Sequence, residues 1–253
     1  MNNKIILFVI FLSANIFTQS PPVKAGKFEI SFHIGYSNPL LEARGNNLTI
    51  DTSVDKSGII FINGKRLLVS DNLAAKAGYN VQAFLKYSFT KKGYIKGLFS
   101  VGYNILLGLY DEFNGTQPGI RIQTFSAGLG AEINPLGHTN RFYPSLYGLF
   151  KYNLVGGETF YYAGLDFFKV TPRFGYTGGF NLNFNITKTI GIYTGLNYNY
   201  DNPINRQTAE TYEPDPYGHT IPFRDEASPT NGLTGDRRIA YWALNLGMNF
   251  FFK

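Results

Sequence analysis

The chain has no cysteine among its 253 residues. That absence excludes a disulfide framework, a cysteine-ligated metal, a thiol nucleophile and a lipid-modified cysteine anchor. Charge is scarce as well: Asp, Glu, Lys and Arg make up 16% of the chain, against about 25% in an ordinary soluble domain. The net charge of +6 is dispersed through turns and links without a basic block, so nucleic acid is not an expected partner. What is plentiful is aromatic and small: 23 Phe, 18 Tyr and 28 Gly, a composition of strands and turns rather than helices.

The N-terminus has the organisation of an export signal. Lys4 supplies a positive start, and Ile5 to Phe17 form an apolar core interrupted by Ser13, Ala14 and Asn15. Val23-Lys24-Ala25 then offers small residues where a signal peptidase reads. The core falls short of the roughly 20 residues of a spanning helix. The expected division is a signal peptide over 1–25 and a single β-barrel domain over 26–253. Loss of Lys4 and Lys24 leaves 21 basic and 17 acidic residues, a net +4.

Beyond residue 25 a period of two dominates. From Arg173 to Thr187, Phe174, Tyr176, Phe180, Leu182, Phe184 and Ile186 alternate with Gly175, Thr177, Gly179, Asn181, Asn183 and Asn185. Successive side chains of a strand point to opposite faces, so one face is apolar and the other small and polar. The same pattern recurs over 27–38, 78–90, 94–108, 120–134, 142–154, 190–200 and 238–252, giving eight candidate strands. Each is long enough to cross a bilayer at a tilt, which takes about 9–11 residues. Short links (91–93, 135–141, 187–189) alternate with long ones (39–77, 109–119, 155–172, 201–237). Transmembrane barrels show this asymmetry, with short periplasmic turns and longer extracellular loops. Gly58 to Val69 forms a hairpin pattern about Asn63-Gly64, which suits a type I′ turn. Its arms are too short to span, so it belongs to the first outer loop; the alternative is a barrel of ten strands.

Volume decides which face points outward. An eight-stranded barrel holds little more than its own side chains, and the apolar faces carry a dozen or more rings. The Gly, Ser and Asn set fits inside instead, which rejects a lipocalin-like soluble barrel. The rings then fall in two belts, as expected at membrane interfaces. An outer girdle comprises Tyr36, Tyr79, Tyr103, Tyr152, Tyr176, Tyr198 and Tyr200, and an inner girdle Phe28, Phe89, Phe142, Phe184, Phe250 and Phe252. Closure is required, because an open sheet leaves edge N–H and C=O groups unpaired in hydrocarbon.

On this pattern, residues 27–253 resemble the small outer-membrane barrels of the OmpA/OmpX type, the broader outer membrane protein beta-barrel domain group. The closing strand, alternating to the terminal ring of Phe252 before Lys253, is similar to the barrel-assembly signal of that class. The resemblance implies a monomer in the outer membrane of a Gram-negative envelope. It further implies contact with outer-membrane lipid, lipopolysaccharide and the barrel-assembly machinery.

Chemistry-bearing residues are few. Glu29, Lys86, Lys96 and Glu132 face the lumen on four successive strands in the periplasmic half. They are read as an ion-pair plug, because buried charges need partners; the functional alternative is a gate. His33, His138 and His219 do not cluster. His33 with Ser37 resembles the outer-membrane lipid A deacylases in residue types but not in motif, so no enzyme is expected and a lipid-modifying hydrolase stays a remote alternative. Acids Glu210, Glu213, Asp215, Asp225, Glu226 and Asp236 lack EF-hand spacing and are read as a solvated loop. Lys65, Arg66 and Lys76 could meet lipopolysaccharide phosphates. No cofactor or metal is expected. The expected function is structural or adhesive, or accessory to envelope assembly or secretion, through loops 39–77 and 201–237. The alternative is a narrow porin-like channel, kept open by the Gly- and Asn-rich lumen.

Overall fold

The computed structural model describes residues 26–44, 59–62, 65–68, 73, 75–108, 119–161, 164–207, 220–221, 223–226 and 236–252. The expected signal segment 1–25 lies outside them. Eight long strands follow the period-two segments: β1 (Phe28–Leu40), β2 (Ala77–Ser88), β3 (Ile95–Leu107), β4 (Gly119–Ile133), β5 (Phe142–Tyr161), β6 (Gly164–Asn185), β7 (Ile190–Ile204) and β8 (Ala240–Phe252). Each pairs antiparallel with its neighbours in sequence. β1 closes on β8 from Phe28↔Phe252 to Leu40↔Ala240. The result is an all-β, closed, eight-stranded up-and-down barrel, which leaves no edge in the spanning region. Among the described residues no helix is long and apolar enough to cross a membrane, and the crossing is made by strands.

The hairpin of the first long link pairs Ile59–Ile62 with Lys65–Leu68 in a two-stranded sheet of its own. The ten-stranded alternative is therefore set aside. A difference concerns 155–172, expected as a long polar link between strands. β5 and β6 instead run on to Tyr161↔Gly164, with one irregularity between Val155 and Gly157. Gly156-Gly157 and Pro172 read as punctuation in sequence. A single bulge absorbs the glycine pair, and Thr159, Phe160, Tyr161, Phe167 and Val170 are strand formers on either side. A short strand, Thr220–Ile221, adds in parallel to Phe167 and Phe168.

The alternation sorts the faces as their chemistry requires. Phe32, Ile34, Val81, Phe99, Phe125, Leu129, Leu146, Phe150, Phe180, Leu244 and Leu246 are exposed on the outside, while Ser31, Asn80, Ser100, Thr124, Asn181, Asn183, Asn197 and Asn249 are buried within. An outside this apolar is stable only against hydrocarbon. At the short-turn end, Gly93 adopts φ 68 in the β2–β3 turn, where a side chain would be strained and would strike the His138 ring.

Candidate functional site

The lumen is the site to be explained. It is filled in four levels from the short-turn end upward. At the lowest, Glu29 of β1, Lys86 of β2, Lys96 of β3 and Glu132 of β4 are brought together. Adjacent inward positions of four neighbouring strands lie side by side, with Glu29↔Lys86 and Lys96↔Glu132 direct pairs. Each ammonium touches both carboxylates: Lys86 at 2.9 Å from Glu29 and 2.9 Å from Glu132, Lys96 at 2.5 Å and 3.1 Å. All four are buried. Two acids and two bases leave no net charge, the condition under which ions persist away from water. The Tyr193 and Tyr143 rings face the two ammonium groups at 5.8 and 5.7 Å.

The second level is aromatic. His33 Nδ1 lies 3.1 Å from the Tyr193 hydroxyl, and its ring lies 5.5 Å from Phe84, which meets Tyr147 edge-on at 5.8 Å. Ser37 is bound elsewhere, donating to Asn104 and accepting from Asn80, so the His33 and Ser37 side chains are engaged apart. Two inward glycines serve these rings. A Cβ on Gly179 would collide with Tyr147, and one on Gly247 with Tyr193. They are sockets for side chains, not open channel wall.

At the third level Lys151 donates to Asp201 at 2.6 Å and to Asn199 at 3.2 Å, and Thr177 donates to Asn199 at 2.6 Å. Above it lies an apolar cap of Leu106, Ile122, Val155, Phe168, Phe223, Ile239 and Tyr241. Part of the last long link is tucked into this cap. Asp225 is buried and accepts from Arg173 Nε at 2.8 Å and Nη2 at 2.9 Å, from Asn202 at 2.7 Å and from the Gln207 backbone at 2.8 Å. The expectation of a solvated carboxylate is thus corrected for Asp225. Its partner Arg173 is 52 positions away, and no local spacing announces the pair. The parity of Arg173, Lys151 and Asp201 marks them as inward and was the available signal. Asp236 meets Arg206 at 2.8 Å in a more open position. Glu210, Glu213, Asp215 and His219 lie outside the described residues, as do the side chains of Lys65 and Arg66.

At the outer rim, Arg238 grips Glu42 through two bonds of 2.7 and 2.5 Å. Partial burial works to raise the Glu42 carboxyl, but the guanidinium bonds outweigh it and hold the group below its ordinary range. At the opposite end His138 is buried against Phe251, with ring centres 5.6 Å apart. Burial, with the Lys96 charge nearby, pushes its imidazole down to about 4.

The residues of both expected girdles lie on the outward parity. Tyr36 meets Tyr79 edge-on at 6.2 Å, Tyr176 meets Tyr200 at 5.7 Å, and Tyr198 meets Trp242 at 5.2 Å, with Tyr103 and Tyr152 exposed beside them. At the other end Phe28, Tyr87 and Phe89 form a contiguous run, and Phe252 is exposed. Phe142, Phe184 and Phe250 are half-buried on the same face.

A closed eight-stranded wall, apolar outside and packed with paired polar groups inside, defines an outer-membrane β-barrel of the small type. No known family model matches the sequence, and no curated protein matches it either. Among solved structures the fold is similar to that of the Neisserial surface protein A, NspA, at 12% identity over 89% of this chain and 97% of that one, with a TM-score of 0.48. It is also similar to OprG from Pseudomonas aeruginosa, at 12% identity over 92% and 99% with a TM-score of 0.49. A third likeness is to Ail, the attachment invasion locus protein of Yersinia pestis, at 14% identity over 88% and 99% with a TM-score of 0.40. At such identities the likeness is one of fold alone.

Proposed function

We propose that this protein is a non-conducting outer-membrane scaffold that acts through the surface it presents outside the cell, in adhesion or as a structural or assembly accessory. The observation that carries this reading is the occluded lumen: the quartet at Glu29, Lys86, Lys96 and Glu132, the aromatic level above it, and the Arg173–Asp225 cap. A solute would have to displace four buried ion-paired or apolar levels in turn, and Gly179 and Gly247 are occupied by rings. What remains for function is the outer end. There β5 and β6 continue their antiparallel pairing past the outer girdle as far as Tyr161↔Gly164, which presents paired strands beyond the membrane.

The short turns face the periplasm on this reading, in keeping with the loop asymmetry of outer-membrane barrels. The test is display of the full chain on cells, intact or with residues 157–168 replaced by a two-residue turn, and retention on protein- or glycan-coated surfaces under flow. Retention that falls with the hairpin supports presentation. Equal retention of cells with and without the whole protein removes adhesion from the reading and leaves only the structural role.

A further inference from the structure

The sequence shows no basic block, yet the fold builds one. Among the described residues the short-turn end carries five outward cations, Lys27, Lys91, Lys92, Arg141 and Lys188, from the start of β1 and all three short turns. Among the described residues the only acids at that end are Glu29 and Glu132, both buried and bound to Lys86 and Lys96. Every other Asp and Glu of the 17 in the chain falls in the long links or at Asp201 near the outer end of β7. That rim is therefore cationic, with no compensating carboxylate on its surface among the described residues.

Two further observations fix what that rim faces. The turns are tied to one another: Asn134 Nδ2 donates to the Gly93 carbonyl at 2.7 Å, the His138 backbone to the Lys92 carbonyl at 3.0 Å, and Asn185 Nδ2 to the His138 carbonyl at 2.8 Å. Their cations thus ride on a connected frame. The Arg141 guanidinium lies over the face of Phe184 at 5.2 Å, and Phe184 belongs to the outward, inner-girdle face. That contact places a cation at the depth of the interfacial rings, where headgroups lie, instead of below them where a soluble partner would approach.

We propose that this rim is a docking surface for anionic phospholipid headgroups of the phosphatidylglycerol type in the inner leaflet of the outer membrane. Phosphate charge meets the lysines while the acyl chains lie against Phe28, Tyr87, Phe89 and Phe184. The leaflet assignment rests on the reading that the short turns face the periplasm; the binding chemistry does not.

The experiment uses the full mature chain refolded in zwitterionic micelles, with phosphatidylglycerol and phosphatidylcholine titrated in turn and bound lipid counted by native mass spectrometry. Wild type should prefer phosphatidylglycerol. Lys91→Gln, Lys92→Gln and Lys188→Gln together should weaken that binding by roughly fivefold per cation, on the order of 100-fold in all. Lys76→Gln with Lys169→Gln, cations of the other end, should leave it within about twofold, the range expected of charges beyond a Debye length. Inorganic phosphate should compete no better than chloride at equal ionic strength. Absence of a preference, an unchanged triple variant, an equal loss in the control pair, or displacement by free phosphate each overturns the proposal. So does capture of an acidic soluble protein without lipid preference. The orientation is read separately: Lys92→Cys, a single thiol in a cysteine-free chain, should react with an impermeant maleimide only after cells are permeabilised. Reaction in intact cells overturns the leaflet assignment even where the lipid preference persists in micelles.

Discussion

Replacing Lys96 by Met should strongly destabilise the lower half of the barrel. Lys96 is fully buried and bridges Glu29 at 2.5 Å and Glu132 at 3.1 Å. Its loss leaves two carboxylates sharing Lys86, with one negative charge uncompensated. Removal of one partner from a buried ion pair costs about 3–5 kcal/mol, the expected loss here. Joint replacement of Glu29 and Lys96 by Met leaves the neutral Lys86–Glu132 pair at 2.9 Å. Its cost should be at least about 2 kcal/mol below the sum of the two single changes, in the range of coupling between directly bonded residues. Replacement of all four by Met should return the stability to within about 2 kcal/mol of wild type, since a packed apolar set matches a buried ion network. Reversible urea unfolding from lipid vesicles measures each variant, with Trp242, the chain's one tryptophan, reporting from the lipid-facing side of β8. A Lys96→Met protein within about 0.5 kcal/mol of wild type, or a strictly additive double variant, would refute the reasoning.

Three further outcomes follow from the same levels. His138 has its folded value held at about 4 against an ordinary 6.5, so only the unfolded chain takes up a proton between these values. The barrel should lose roughly 2 kcal/mol between pH 7 and pH 5 through this group, and His138→Phe should abolish that part of the pH dependence in urea titrations. Asp225→Asn leaves Arg173 buried without its counter-charge and should cost about 3 kcal/mol, whereas Glu226→Gln beside it should stay within about 0.5 kcal/mol; equal urea midpoints for the two would contradict the latch. Gly179→Val should cost about 1–3 kcal/mol by overpacking Tyr147, and the loss should shrink in a Tyr147→Ala background, because the colliding ring is then gone.

The wall was legible because a transmembrane strand writes its environment into every second residue. Phe180, Leu182 and Phe184 face lipid while Asn181 and Asn183 face the lumen, and the two chemistries cannot exchange without a one-residue slip that exposes every amide to hydrocarbon. The quartet was legible for the same reason, since Glu29, Lys86, Lys96 and Glu132 sit on adjacent strands whose register follows from short turns. The upper half was less so. Asp225 lies in a Pro-rich link with six other acids, and its pairing with Arg173 depends on how that link folds back, which no periodicity encodes. The hairpin beyond Val155 was masked by Gly156-Gly157, residues that end many strands but here form a bulge. The lumenal glycines misled in one respect. Gly179, one of the small lumenal residues that keep the channel alternative open, looks like room for solute in sequence, and only the facing ring of Tyr147 shows it to be filled.

The central claim is that the lumen is closed by its own side chains. Planar-bilayer recording of refolded residues 26–253 tests it most directly, with a variant lacking residues 208–235 of the last long link recorded alongside. Both should show no unitary current steps, because the quartet and the aromatic level remain when the link is shortened. Stable, reproducible steps in the wild-type protein would contradict the claim and make the barrel a channel.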